Sequence, residues 1–199
     1  MGADRPTPPD VARRQGLSAR RSLDAAVRAA HSRHIANTLG ALEEVAGADI
    51  VGAYAATGDE VDLSGMWRAL RTDGKALCLP RIDPGGSPTM EFAAWARGAE
   101  LRPNRFGIGE PVGPPVGVED LDVVLVPCVA VDRAGTRVGF GAGYYDRALG
   151  RLPAAEPAAG RPVLVGVAYE VQVVALIDAR PWDVPLDIVV TEAGVNRPR

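Results

Sequence analysis

A chain of 199 residues with 22 basic and 25 acidic side chains carries a formal net charge of −3, and 47% of its residues are hydrophobic. That is enough apolar material for a sizeable core, which excludes wholesale disorder. The near-neutral balance gives no global pull toward nucleic acid or anionic lipid.

In chain order, residues 1–9 hold Pro6, Pro8 and Pro9 and no apolar run, which predicts a mobile tail rather than a secretion signal. From residue 10 to about 45, Leu23, Val27, Ala30, Ile35, Leu39 and Leu42 recur every three to four positions, the spacing of one amphipathic helix. Asp10 is its expected N-cap and Gly47 lies past its end. His31 and His34 sit on that helix without a carboxylate in ligand order and read as boundary residues.

Beyond Gly47, short apolar runs predict strands over 49–55, 75–82, 90–95, 121–130, 163–168 and 188–191, with helices over 63–70 and 171–177. Strands alternating with helices define an α/β chain, expected as a three-layer α/β/α sandwich around a mostly parallel sheet. The proline-rich stretches 111–115 and 153–162 read as surface loops within one domain spanning 10–199. The longest apolar stretch, residues 123–131, contains Pro127 and is far short of a bilayer span. The expected address is the cytoplasm.

Cys78 and Cys128 each lie in an apolar run, without CxxC spacing or a histidine neighbour, and read as small buried hydrophobes. Lys75 is the only lysine among the 22 basic residues. Any Schiff base has a single candidate amine, and any phosphate site must be built from arginine and backbone amides.

The most informative segment is Arg137-Val138-Gly139-Phe140-Gly141-Ala142-Gly143-Tyr144-Tyr145-Asp146-Arg147, which follows the central apolar strand. Alternating glycines let the main chain approach a ligand and aim amides at anionic oxygens, and a strand–loop–helix junction in an α/β sheet is a phosphate position. Tyr144 stands where a GxGxxG fingerprint needs glycine. The only Gly-Lys pair, Gly74-Lys75, lacks the other elements of a P-loop.

With Val126 to Asp132 before it, this segment resembles the signature of the 5-formyltetrahydrofolate cyclo-ligase family. Arg20-Arg21-Ser22-Leu23, Tyr54 through Glu60-Val61-Asp62, and Leu79-Pro80-Arg81 fit the same family in order. So do Asn104 through Pro111, Trp182 through Asp187, and Thr191-Glu192. The resemblance runs from residue 10 to 192.

It implies conversion of 5-formyltetrahydrofolate to 5,10-methenyltetrahydrofolate by a monomer, with ATP hydrolysed to ADP and phosphate in the presence of Mg2+. No nucleic acid or membrane partner is implied. By resemblance, Arg137, Val138, Gly139, Phe140, Gly141, Ala142, Gly143, Tyr144 and Tyr145 wrap the ATP phosphates together with Arg13. Asp146 and Asp183 hold the metal. Ala55 and Glu60 hold the pterin, Phe106 packs on the folate, and Tyr144 and Arg137 stand at the reacting groups.

One departure stands out. The family opens with K-x-x-L-R, and in this chain Pro9 takes the lysine position and Ala12 the leucine position, while Arg13 keeps the arginine. The alternative is therefore a folate- or nucleotide-binding homologue with weak or lost turnover. A sugar-phosphate isomerase or acyl-CoA transferase is a more distant reading, for which Lys75 is the only available lysine.

Overall fold

The computed structural model describes residues 5–153 and 160–198. Three helices open the chain: α1 (Pro9–Ser22), α2 (Ala25–Ala41) and α3 (Glu43–Ala46). The single helix expected over 10–45 is broken, because Leu23 turns extended while its N–H bonds the Arg20 carbonyl. The break has a packing cause: α1 buries Ala12, Gly16 and Arg20, whereas α2 buries Ser32, Ile35, Ala36 and Leu39. Nor is Asp10 the N-cap; Pro8 caps, Pro9 starts the helix, and Asp10 pairs with Arg14 at 2.9 Å. Gly47 does end α3.

Residues 1–4 of the expected tail lie outside the described residues, and its remainder is docked. The Thr7 N–H donates to the Leu176 carbonyl at 2.8 Å, and the Asp178 N–H donates to the Thr7 carbonyl at 2.9 Å.

Along the chain follow β1 (Ile50–Gly52), α4 (Ser64–Thr72), β2 (Ala76–Ile82), β3 (Met90–Ala94), β4 (Arg102–Pro103), β5 (Gly109–Glu110) and β6 (Pro115–Val116). Then come β7 (Val123–Pro127), β8 (Ala130–Asp132), β9 (Arg137–Val138), α5 (Tyr144–Leu149), β10 (Val163–Val167), β11 (Val173–Val174), β12 (Ile188–Thr191) and β13 (Gly194–Asn196). The main sheet has eight strands in the order β13-β12-β10-β7-β1-β2-β3-β6. Its centre, from β12 to β2, is parallel, and antiparallel strands finish both edges. The mixed α/β reading with a mostly parallel sheet holds.

β7 shows why its sequence forms a strand. Val123 and Leu125 point into one apolar cluster with Ile35, Leu39, Leu63 and Leu79, beneath α2 and α4. Val124 and Val126 point into the other, with Phe92, Leu149 and Val189. A strand buried on both faces reads as an unbroken aliphatic run. Cys78 and Cys128 are buried in the second cluster as unpaired thiols, and burial pushes each up to about 11.

The strand expected over 121–130 divides into β7 and β8, because the Cys128 N–H turns to the Val167 carbonyl and the Val129 N–H to the Val138 carbonyl. β8 leaves the main sheet to join β9 and β11 in a three-stranded sheet. The helix expected over 171–177 is instead one 3-10 turn, Glu170–Gln172, followed by β11. The Gln172 amide is fixed by the Cys128 and Val129 carbonyls, both at 2.8 Å, and β-branched Val173 and Val174 favour the extended chain that follows. Of the expected loop 111–115, Pro115 belongs to edge strand β6. Most of loop 153–162 lies outside the described residues. Lys75 Nζ donates to the carbonyls of Ala46 and Ala48, both at 2.6 Å, and so caps the end of α3.

Candidate functional site

The glycine segment is held from behind by a buried carboxylate. Asp132, fully buried, accepts the N–H groups of Ala134 at 3.0 Å and Thr136 at 2.9 Å on one oxygen, and that of Ile177 at 2.8 Å on the other. These bonds tie the β8–β9 turn to the segment that carries β11. After β9 the chain leaves regular structure, and Gly141 (φ 105°) and Gly143 (φ 67°) take left-handed conformations that side-chain-bearing residues resist. Gly139 differs: a Cβ there would meet nothing within 4 Å, so the fold itself does not require glycine at that position.

Three arginines shape the loop. Arg13 Nε, delivered by α1, donates to the Gly139 carbonyl at 2.8 Å. That delivery depends on Gly16, where a Cβ would lie 2.0 Å from the Val129 carbonyl oxygen, so α1 rests directly on main chain. Arg147 binds the Ala142 carbonyl and, through Nε, the Pro88 carbonyl at 2.7 Å. Arg137 Nη2 donates to Asp146 Oδ1 at 2.8 Å, and its side chain is 4% exposed against 28% for the aspartate. Arg137 Nε is buried without a hydrogen-bond partner among the described residues, as is the Tyr145 hydroxyl. Burial drives the Tyr145 phenol well above its ordinary range.

Opposite the loop, Tyr54 anchors the turn that carries Glu60 by donating its hydroxyl to the Val61 carbonyl at 2.8 Å. Glu60 Oε2 accepts the Thr57 N–H at 2.8 Å and the Thr57 hydroxyl at 3.1 Å. Burial raises the Glu60 carboxyl, partly offset by those bonds and by the Arg20 charge. The β4–β5 hairpin supplies Phe106, 60% exposed. Asn104 Oδ1 accepts the N–H groups of Phe106 and Ile108, and its amide donates to Glu110, which in turn accepts the Ile82 N–H from β2. Tyr144, expected at the reacting group, has its hydroxyl bonded by Arg105 Nη2 at 2.7 Å.

These elements enclose one cavity of about 800 Å³. Arg13, Ala55, Glu60, Phe106, Asp146 and Asp183 line it together with every residue from Arg137 to Tyr145. Every site residue expected from the sequence is therefore brought together. Tyr54, Asn104, Glu110, Arg180 and Trp182, to which the sequence pattern assigns no role, also line the cavity. Most of them lie inside the segments that carry the family resemblance, which is the signal the sequence offers for them.

Among the described residues no group of three His, Cys, Asp or Glu side chains could hold a metal. Asp146 and Asp183 offer two hard oxygen donors. That set suits Mg2+ carried on phosphate oxygens, which needs only one or two carboxylates, and not an all-protein cage. Lys75 does not line the cavity and is engaged by two carbonyls. No helix among the described residues is long and apolar enough to cross a membrane.

A mostly parallel α/β sheet whose central strand leads into a glycine loop over a large cavity defines a ligand-binding α/β fold of the kind that works at strand carboxyl ends. The family model described as "5-formyltetrahydrofolate cyclo-ligase family" matches residues 9–192. The 5-formyltetrahydrofolate cyclo-ligase of Mycolicibacterium smegmatis is 33% identical over 180 residues, 88% of this chain and 89% of that protein. The Escherichia coli K12 enzyme of the same name is 35% identical over 133 residues, 65% of this chain and 68% of that protein. The NMR structure of Aquifex aeolicus 5,10-methenyltetrahydrofolate synthetase superposes with a TM-score of 0.81 at 33% identity, covering 96% of this chain and 93% of that one. The chain belongs to the 5-formyltetrahydrofolate cyclo-ligase family and is an enzyme of the ligase class.

Proposed function

We propose that this chain converts 5-formyltetrahydrofolate to 5,10-methenyltetrahydrofolate at the expense of ATP, with Mg2+, acting as a monomer in the cytoplasm. The observation that carries the reading is the cavity of about 800 Å³ whose lining brings the glycine loop together with Glu60 and Phe106. A cavity of that size admits two sizeable ligands only in contact with one another, as a transfer between them requires.

The amide oxygen of a formyl group is a poor leaving group. Its attack on the γ-phosphorus breaks the bond to the β-phosphate oxygen and releases ADP. N10 then attacks the activated carbon and gives up its proton, which leaves with the former formyl oxygen as hydrogen phosphate. Such a path asks the protein for positioning and charge neutralisation rather than a nucleophile, and the thiol of Cys128, pushed up to about 11 by burial, is a poor one at neutral pH.

The main chain from Arg137 to Tyr145 would take the phosphates, with Arg13 and Arg137 supplying charge. Open space at Gly139 admits a close approach. Ala55 and Glu60 would hold the pterin, where a carboxylate accepts paired hydrogen bonds from the amino-pyrimidine edge; Phe106 packs on the folate and Tyr144 stands beside the formyl group. Mg2+, held by Asp146 and Asp183, would neutralise charge on the transferring phosphoryl group.

The decisive experiment follows methenyl product by absorbance with and without ATP, in the wild type beside Asp146→Ala. ATP-dependent product in the wild type and its loss in the variant are expected. Folate binding without ATP-dependent product would replace the reading with that of a binding homologue. The position of Pro9 gives that second reading its footing: Pro9 lines the cavity at the start of α1, where it offers no charge, and neighbouring Arg14 is engaged by Asp10. Pro9→Lys should therefore tighten nucleotide binding about 10- to 150-fold, the worth of one charge-assisted contact. An unchanged dissociation constant would remove Pro9 from the account.

A further inference from the structure

Phe106, Phe140 and Trp182 stand 60%, 58% and 64% exposed on three separate loops around the same cavity. Large apolar rings left in the open beside a cavity mark where a ligand lays an apolar face. Phe106 belongs to the folate side and Phe140 to the phosphate loop. Trp182 has no part in the reaction described above.

Its setting is specific. The Asp183 N–H donates to the Arg180 carbonyl at 3.0 Å, and the Arg180 N–H donates to Asp183 Oδ2 at 2.8 Å. The two bonds close a tight turn, stiffened by Pro181, with Trp182 near its crown. The Arg180 guanidinium lies 5.8 Å from the indole centroid, and both residues line the cavity. A ring held on a rigid turn loses little freedom when something stacks on it.

The same segment is pinned on the phosphate-loop side. Downstream, the Leu186 N–H donates to the Gly135 carbonyl at 3.0 Å, in the turn that leads into β9. Upstream, the Asp178 N–H bonds the Thr7 carbonyl, just before the helix that carries Arg13 to Gly139. Phe106 hangs instead from β2 through Asn104 and Glu110.

We infer that Trp182, with the Arg180 guanidinium beside it, is the stacking platform for the purine base of the nucleotide whose phosphates the glycine loop holds. The inference rests on the proposed nucleotide site. Indole presents a broad π face to the base, and stacking of this kind is tolerant of ring substituents.

The test compares MgADP with tripolyphosphate, which carries the phosphates and no base, on wild type, Trp182→Ala and Trp182→Phe. Truncation to alanine should weaken MgADP about 5- to 150-fold and leave tripolyphosphate within about twofold, with phenylalanine restoring most of the loss. Of the three tryptophans in the chain, Trp67 and Trp95 pack edge to face with centroids 5.0 Å apart and do not line this cavity. MgADP, but not tripolyphosphate, should therefore quench a part of the emission that is absent from Trp182→Ala. An unchanged MgADP affinity in Trp182→Ala overturns the platform while leaving the phosphate loop standing, and so does a loss confined to 5-formyltetrahydrofolate. If the wild type binds neither MgADP nor tripolyphosphate, the nucleotide site itself is wrong, and the platform falls with it.

Discussion

The two walls of the cavity are made in opposite ways. The wall from Gly139 to Gly143 is mostly main chain, with the Phe140 ring its one large side chain, left-handed turns at Gly141 and Gly143 and arginines bracing its carbonyls. The facing wall is side chain: the Glu60 carboxylate, held by Thr57, and the exposed Phe106 ring on its hairpin. A wall of amides fixes the shape of an anion site and accepts any polyphosphate of the right length. A wall of side chains selects a ligand by its ring edge and face. Damage to the first should therefore fall on nucleotide binding and on stability, and damage to the second on folate recognition.

The largest expected effect is at the base of the main-chain wall. Asp146→Ala leaves the Arg137 guanidinium, only 4% exposed, without its counter-ion, and breaking a buried pair from one side costs about 3–5 kcal/mol. The partial exposure of Asp146 puts the loss toward the lower end, readable by denaturant titration. Asp146→Asn should recover part of that stability without recovering turnover.

Glu60→Gln sharpens the contrast from the other wall. It should weaken 5-formyltetrahydrofolate about 10- to 150-fold, the worth of charge-assisted hydrogen bonds, and leave MgADP affinity within twofold or about that. It also carries a pH signature. Burial raises the Glu60 carboxyl above its ordinary 4.5, so the folded state holds that proton more tightly than the unfolded chain does. The stabilisation from this residue is complete below the unfolded value and is lost as pH rises through the raised folded value. Glu60→Gln should therefore gain stability over wild type at pH 7 relative to pH 4, and a difference that shrinks toward pH 7 would contradict the assignment.

Gly143→Ala tests whether the main-chain wall needs its left-handed turn. The conformation alone costs about 1–2 kcal/mol, and the new Cβ would lie 2.9 Å from Arg147 Nη1, which must swing away from the Ala142 carbonyl. MgADP affinity should fall while folate affinity holds. The smallest effect is expected at Tyr145→Phe. It removes a buried hydroxyl that has no hydrogen-bond partner among the described residues, so the thermal midpoint should stay level or rise by the equivalent of up to about 1 kcal/mol. A fall greater than that would reveal a partner for the hydroxyl.

The same contrast explains what was legible in the sequence. β7 could be read because burial on both faces writes an unbroken aliphatic run. The glycine loop could be read because left-handed turns and close approach leave few alternatives to glycine. The break at Leu23 could not, since the recurring apolar residues begin only at Leu23 and α1 is set by what Ala12, Gly16 and Arg20 pack against, which no local pattern shows. The 3-10 turn at Glu170–Gln172 was hidden for a related reason: its anchor is the pair of carbonyls at Cys128 and Val129, more than 40 residues away. Glu60 and Asp183 are ordinary polar loop residues by local pattern and stood out only through the family resemblance. Trp182 lies inside a segment that carries the family resemblance, but nothing in the local pattern shows that it lines the cavity.

Lys75, tied to the carbonyls of residues 46 and 48, leaves the cavity without a side-chain amine; among the described residues its cations are the guanidinium groups of Arg13, Arg137, Arg147 and Arg180. Acylating reagents directed at the lysine side chain will therefore bypass the ligand chamber. Dicarbonyl reagents, which condense with guanidinium, will react inside it, and protection by a bound ligand then becomes a direct chemical footprint of occupancy.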